Sequence, residues 1–312
     1  LLDRSFPVVR VDARHAWPGT EARRVFIEQK PERLWLTAAD AAEATTALAE
    51  LPFEAASVTV QLAQGADPKP LFGHPRLKRL LINNVEDAAR YLVGKDRVPA
   101  PIEVEVLIDR PLAAWLLARP ATLRAWADRL VVTLPDHEYL SGSQRLDPEP
   151  TALARLAASG ARLKNVPKCV AGTAVMAHDH ALLDATMLDR GGDLDLDRYV
   201  HHFITNEYYA KSLRCHRCAE FDNCKGLHVN YLRNHGFRIL TPLTAAGLPV
   251  ADAHGFEQVA EALKDATDAS DRRERRRLVG MHRPAPSVAV ALDDMTLGKA
   301  GSEPAEVTRT RA

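Results

Sequence analysis

Cysteine is scarce in this chain of 312 residues: there are four, and none precedes residue 169. In a reducing compartment such a sparse, clustered set points to metal ligation, not to disulfides. Long hydrophobic runs are missing too. Nothing approaches the roughly 18 to 20 apolar residues needed to cross a bilayer, and the opening LLDRSFPVVRVDARHAW lacks the long apolar core of a signal peptide. A cytoplasmic protein without a membrane partner is therefore expected. The chain starts at Leu1 and not at Met, consistent with a few trimmed residues. A surplus of charge is absent as well, with Lys+Arg and Asp+Glu equal at 41 each. No net field draws the protein onto nucleic acid or an anionic surface, so partners are recognised by local shape and chemistry. No Ser-His-Asp signature, P-loop or Gly-x-Gly-x-x-Gly occurs.

What is present is enough apolar material, 46% of residues against 26% charged, for a sizeable core. The length fits one large α/β unit with a smaller appendage. Over the first half, short β-branched runs alternate with helix-like stretches, the pattern of parallel βα units. Strands are expected at Arg24 to Ile27, Ser57 to Leu62, Leu77 to Ile82, Ile102 to Ile108, Leu130 to Leu134 and Leu163 to Val166. Helices are expected in TAADAAEATTALAEL (37–51), with Thr37 as N-cap, in RPLAAWLLARPATLRAWADR (110–129), and in EPTALARLAASG (149–160), which closes on Gly160. A repeat of about 25 to 30 residues is the size of a βα unit, in a barrel or an open sheet. Beyond residue 168 the alternation gives way to cysteines, histidines and clusters such as RGGDLDLD (190–197). Helical spacing returns over 255–278, and residues 281–312 read as a flexible tail. Three regions are expected: a barrel over 1–160, a metal domain over 161–250, and a helix and tail over 251–312.

The chemistry lies in Cys169, Cys215, Cys218 and Cys224, all within 56 residues, three of them in a span of ten. Cys215-x2-Cys218 places two thiols on one tight turn, and Cys224 follows closely, so three sulfurs converge with little loop entropy to lose. Cys169 must come in from a distant loop. Thiolates suit an iron-sulfur cluster and zinc alike. Zinc sites usually show two paired knuckles, and here the second pair is missing, which favours a cluster; His228 is the alternative fourth ligand.

The run Val166-Pro167-Lys168-Cys169-Val170, then Cys215-x2-Cys218-x5-Cys224-x-Gly226, then Tyr231, Gly236 and Pro242, resembles the cluster-binding extension of radical S-adenosylmethionine enzymes, of the SPASM or twitch type. The resemblance implies an α/β fold, a partial TIM-type (β/α) barrel with a C-terminal SPASM/twitch-like extension. It also implies one auxiliary [4Fe-4S] cluster on Cys169, Cys215, Cys218 and Cys224. The Cys-x3-Cys step that often follows in that family is absent, because the position three residues past Lys225 holds His228, so a second cluster is not expected. Gly65 and Pro68 echo the family's Gly-Gly-Glu-Pro motif with its acid displaced, and helix 37–51 stands where the first barrel helix would. The defining Cys-x3-Cys-x2-Cys would fall between about Ile27 and Thr37, where EQKPERLWL carries no cysteine. The resemblance is thus to a degenerate member that kept the auxiliary cluster and lost the radical one. It implies peptide modification by substrate presentation, electron relay or scaffolding beside a catalytic partner. A zinc-stapled binding module is the alternative; a third is an enzyme that uses the barrel mouth in another way.

Other polar clusters read as ordinary surface. His178, His180, His201 and His202 lie in loop-like sequence, Asp193, Asp195 and Asp197 lack the glycine and glutamate spacing of a calcium loop, and the arginines at 272–277 fit a solvated helix end.

Overall fold

The computed structural model describes residues 6–14, 20–51, 53–172, 175–176 and 182–250. The helix and tail expected beyond residue 251, the arginines at 272–277, and His178 and His180 lie outside the described residues.

In chain order the elements begin with β1 (Val8–Asp12), α1 (Thr20–Gln29), β2 (Arg33–Ala38), α2 (Ala41–Glu50), β3 (Ser57–Leu62), β4 (Leu77–Ile82), α3 (Val85–Ala88) and β5 (Glu103–Leu107). Next come α4 (Arg110–Leu117), α5 (Pro120–Ala125), β6 (Leu130–Thr133), α6 (Leu140–Leu146), α7 (Pro150–Ala158) and β7 (Arg162–Lys164). The last part carries α8 (Lys168–Ala171), β8 (Leu182–Asp184), α9 (Leu196–Asn206), β9 (Tyr209–Ala210), β10 (Leu227–His228) and α10 (Val229–His235).

Strands β1 to β8 form one parallel sheet in the order β7-β6-β5-β4-β3-β2-β1-β8. Laid flat, seven spacings of about 4.8 Å would put its edges about 34 Å apart. Yet Lys164 of β7 and Leu182 of β8, on opposite edges, line one cavity. The sheet is therefore curled into a partial barrel. Among the described residues β8 pairs with β1 alone, so the curl stays open between β7 and β8.

The period of two along each strand sorts the faces. Val9, Val11, Leu34, Leu36, Val58, Val60, Val104, Val106 and Leu163 are buried on the helix-covered side. The alternate positions, Arg10, Trp35, Gln61, Leu107, Thr133 and Lys164, line the concave side. That side is charged. Glu105, buried on β5, takes Arg79 Nη1 at 2.9 Å, Lys164 Nζ at 3.1 Å and the Thr133 hydroxyl at 2.7 Å. Glu103 completes the group with Arg79 and Arg162.

Local chemistry sets the helix limits. Asp40 caps α2 by accepting from the Glu43 N–H at 2.8 Å, so the cap lies three residues beyond the expected Thr37. Pro120 divides the single helix expected over 110–129 into α4 and α5. Gly160 ends α7 at φ +96°.

Two expectations need correction. Arg24 to Ile27 belongs to α1, not to a strand: the buried Ala22 and Phe26, four residues apart, form the inward stripe of a helix. The strand lies instead at Arg33–Ala38, inside the segment expected to be the first loop, and the first strand is β1. The sequence between β1 and α1, ARHAWPG (13–19), also lacks cysteine. It follows that α2 is the second helix, and Gly65 follows the third strand.

By contact, residues 1–251 form one compact unit, so the expected division at 160/161 falls inside it, and β7 and β8 both extend the first sheet. No helix among the described residues is long and apolar enough to cross a membrane.

Candidate functional site

Three backbone segments bring the cysteines together. The chain leaves β7 through Asn165, at φ 62°, and Pro167 starts the short α8 that carries Cys169. A tight turn over Leu213–Arg217, capped by Ser212, holds Cys215 and ends at Cys218, whose N–H donates to the Cys215 carbonyl at 2.9 Å. Residues 218–224 then fold back, pinned by Lys168 Nζ on Glu220 at 2.9 Å and by Lys211 Nζ on the Phe221 carbonyl at 2.6 Å. The third segment is Thr241-Pro242-Leu243, bound to the loop by the Ala219 N–H on the Leu243 carbonyl at 2.8 Å.

Two of the sulfurs receive a backbone hydrogen bond. The Leu243 N–H donates to Cys218 Sγ and the Gly226 N–H to Cys224 Sγ, both at 3.3 Å. The backbones of Thr241 and Ser212 lie near Cys169 and Cys215, where they favour the thiolate. Thr241 and Leu243, two residues apart, thus approach two sulfurs from distant parts of the chain.

None of the four cysteines is in a disulfide, and all are half-buried. Burial pushes the Cys169 thiol up to about 12, and the nearby sulfurs of Cys224, Cys215 and Cys218 add to the rise. Cys215 and Cys224 are raised chiefly by burial as well. Cys169, Cys218 and Cys224 border a cavity of about 150 Å³ whose walls include the apolar Val166, Pro167, Val175, Met176 and Leu243. Among the described residues no three or more His, Cys, Asp or Glu side chains form a ready metal-holding group; Cys169, Cys218 and Cys224 border a space instead of closing on a point. As donors the cysteines suit a thiophilic centre: four sulfurs, two of them with a backbone hydrogen bond and three of them on the wall of one cavity.

His228 is not a further ligand. It is buried as the N-cap of α10, with Nε2 at 3.0 Å from the Ile204 carbonyl and Nδ1 accepting from the Asn230 N–H at 3.4 Å. Both ring nitrogens are committed. His201 pairs with Glu138 at 3.2 Å, and His202 is buried in α9 beside Asn206. Asp195 caps α9, and Asp189, not singled out in the sequence, organises the turn before it by accepting from Gly191 and Asp193.

Two features escaped the sequence reading. One is the approach of the segment Thr241-Pro242-Leu243 to Cys169 and Cys218, with the Leu243 N–H as donor to Cys218. The other is the concave cavity of about 220 Å³, covered by Asn206, Glu207, Tyr209 and Lys225. On its wall Asp136 accepts from the Tyr209 hydroxyl at 2.7 Å. Although this carboxyl borders the cavity, surrounding protein withholds bulk water from it and raises it to about 8, with Glu207 and Asp147 adding to the rise.

Fold and site together define an α/β protein in which a curled parallel sheet carries four clustered free cysteines beyond the end of β7. No protein-family model matches the sequence, and no curated protein is significantly similar to it.

Proposed function

We propose that the protein holds a [4Fe-4S] cluster through Cys169, Cys215, Cys218 and Cys224, and that it serves a catalytic partner chain in peptide modification. Its part there is substrate presentation, electron relay or scaffolding. The observation that carries the cluster reading is that the fold brings Cys169, from a distant segment, near enough to Cys215, Cys218 and Cys224 for all three to act on its thiol, with backbone hydrogen bonds on Cys218 and Cys224. Such hydrogen bonds stabilise thiolates and tune clusters. The apolar lining of the adjoining 150 Å³ cavity agrees with a multi-atom centre. The partner role rests on the resemblance of the cysteine region to SPASM/twitch extensions and on the missing Cys-x3-Cys-x2-Cys.

Anaerobic purification followed by iron, sulfide and zinc analysis tests the reading. About four irons and four sulfides per chain, with brown colour, support it. Stoichiometric zinc in a colourless protein would replace it by a zinc-stapled binding module.

A further inference from the structure

The cavity inside the curl has two unlike sides. On one, Arg10 meets Asp184 through Nε, and its two terminal nitrogens make no hydrogen bond among the described residues. Trp35 is the register partner of Arg10 on β2, and the guanidinium lies over its ring at 5.7 Å. The buried indole N–H of Trp35 has no acceptor. A buried donor left without a partner is costly, and such groups call for an explanation. Gln61, on β3, lines the same side. Across the cavity stands the Asp136 carboxyl with its bond from Tyr209. The neighbouring cations Lys164 and Lys225 are matched by Glu105 at 3.1 Å and Glu207 at 3.0 Å.

Guanidinium nitrogens with no bond, an indole N–H with no acceptor and an amide on one wall form a donor set for a planar, two-oxygen anion. We infer that this cavity binds a carboxylate group, gripped by the terminal nitrogens of Arg10 and completed by the Trp35 N–H and Gln61, with the rest of the ligand directed toward Asp136 and Tyr209. The carboxylate comes from a small free acid or from the C-terminus of a peptide. Asp184 already shares the charge of Arg10, so affinity on the order of 1 mM is expected. The cysteines take no part, so this site and the cluster reading stand or fall separately.

The full chain is titrated with isobutyrate and isobutyramide, and with one tripeptide in free-acid and C-terminally amidated forms. Binding is followed by ligand-observed NMR and calorimetry. Each acid should bind at least about 10-fold more tightly than its amide, the difference between charge-assisted and neutral hydrogen bonding. Binding by isobutyrate alone identifies a small free acid, and binding by the tripeptide acid alone identifies a peptide terminus. Arg10→Gln should abolish binding. Because that change also removes the partner of Asp184, Arg10→Lys is the second variant. It keeps the charge, and thermal melting verifies its fold. It should lose about 10-fold for want of the fork, and Trp35→Phe should lose several-fold. Amides that bind as well as acids, no binding by any acid up to about 10 mM, or undiminished acid binding by folded Arg10→Lys would overturn the assignment.

Discussion

Gly226 lies so close to Ala210 that a Cβ added to it would stand 2.0 Å from the Ala210 carbonyl oxygen. Its φ of +89° independently disfavours any side chain. The same residue donates its N–H to Cys224 Sγ, so the close packing of the β9–β10 pair and the position of one sulfur depend on a single missing methyl group. Gly226→Ala should displace Cys224 and reduce metal retention several-fold. The sheet, which does not contain residue 226, should keep its far-ultraviolet dichroism. Full metal content in the variant would count against the coupling.

The loop over residues 212–226 has little regular structure, so on the proposed cluster reading metal binding energy would act there as folding energy. Cys218→Ser should therefore open Lys211, Arg214, Arg217 and Lys225 to trypsin while the sheet resists. Unchanged digestion kinetics relative to the metal-loaded parent would show that the loop holds its shape by packing alone.

Glu105 joins Arg79, Lys164 and Thr133 on the concave face. Replacement by Ala takes one carboxylate from the buried Lys164 and one of two from Arg79, which keeps Glu103, a loss of charge-assisted hydrogen bonds expected to cost about 1.5 to 3 kcal/mol. Denaturant unfolding of Glu105→Ala should show a loss of that order. Glu103→Ala, whose carboxylate is more exposed, should cost less.

Asp136 supplies a pH signature. Its carboxyl is raised to about 8, chiefly by burial, from an unfolded value of about 3.9. Between those values the folded chain holds a proton that the unfolded chain has released, so stability falls as pH rises. The slope is at most about 1.4 kcal/mol per pH unit and ends above pH 8. Asp136→Asn keeps an acceptor for Tyr209 and removes the titration. It should gain stability relative to the parent between pH 5 and 8, as read from urea midpoints. Parallel curves would mean that Asp136 is ionised in the folded protein.

Reductive cleavage of S-adenosylmethionine needs a cluster iron with an open position, which a centre held by four cysteines does not offer. The isolated protein, reconstituted and given a strong reductant, should form no 5'-deoxyadenosine. Steady formation would contradict the reading of a degenerate, partner-dependent homologue, and formation only after a second chain is added would support it.

Strands β3 to β7 were legible because each is a short apolar run bounded by turn residues, and the period of two survives in their burial. The edge toward the N-terminus was misread. Arg24 to Ile27 is as β-branched and apolar as a strand, and only the four-residue spacing of Ala22 and Phe26 marks the helix. RLWLTA follows a proline and a glutamate that read as loop. One displaced strand shifted the expected position of the first loop and of the first helix.

By itself the sequence determined the parallel βα pattern, the absence of cysteine after the first strand and the tight spacing of Cys215, Cys218 and Cys224, because these are local properties of composition and period. Tertiary structure alone decided which distant groups meet. It brought the Thr241 and Leu243 backbones to Cys169 and Cys218, committed both nitrogens of His228 to the backbone, and curled the sheet until Lys164 and Leu182 bordered one cavity. Such contacts depend on how far each strand twists and where each loop returns, and no short window of sequence encodes either.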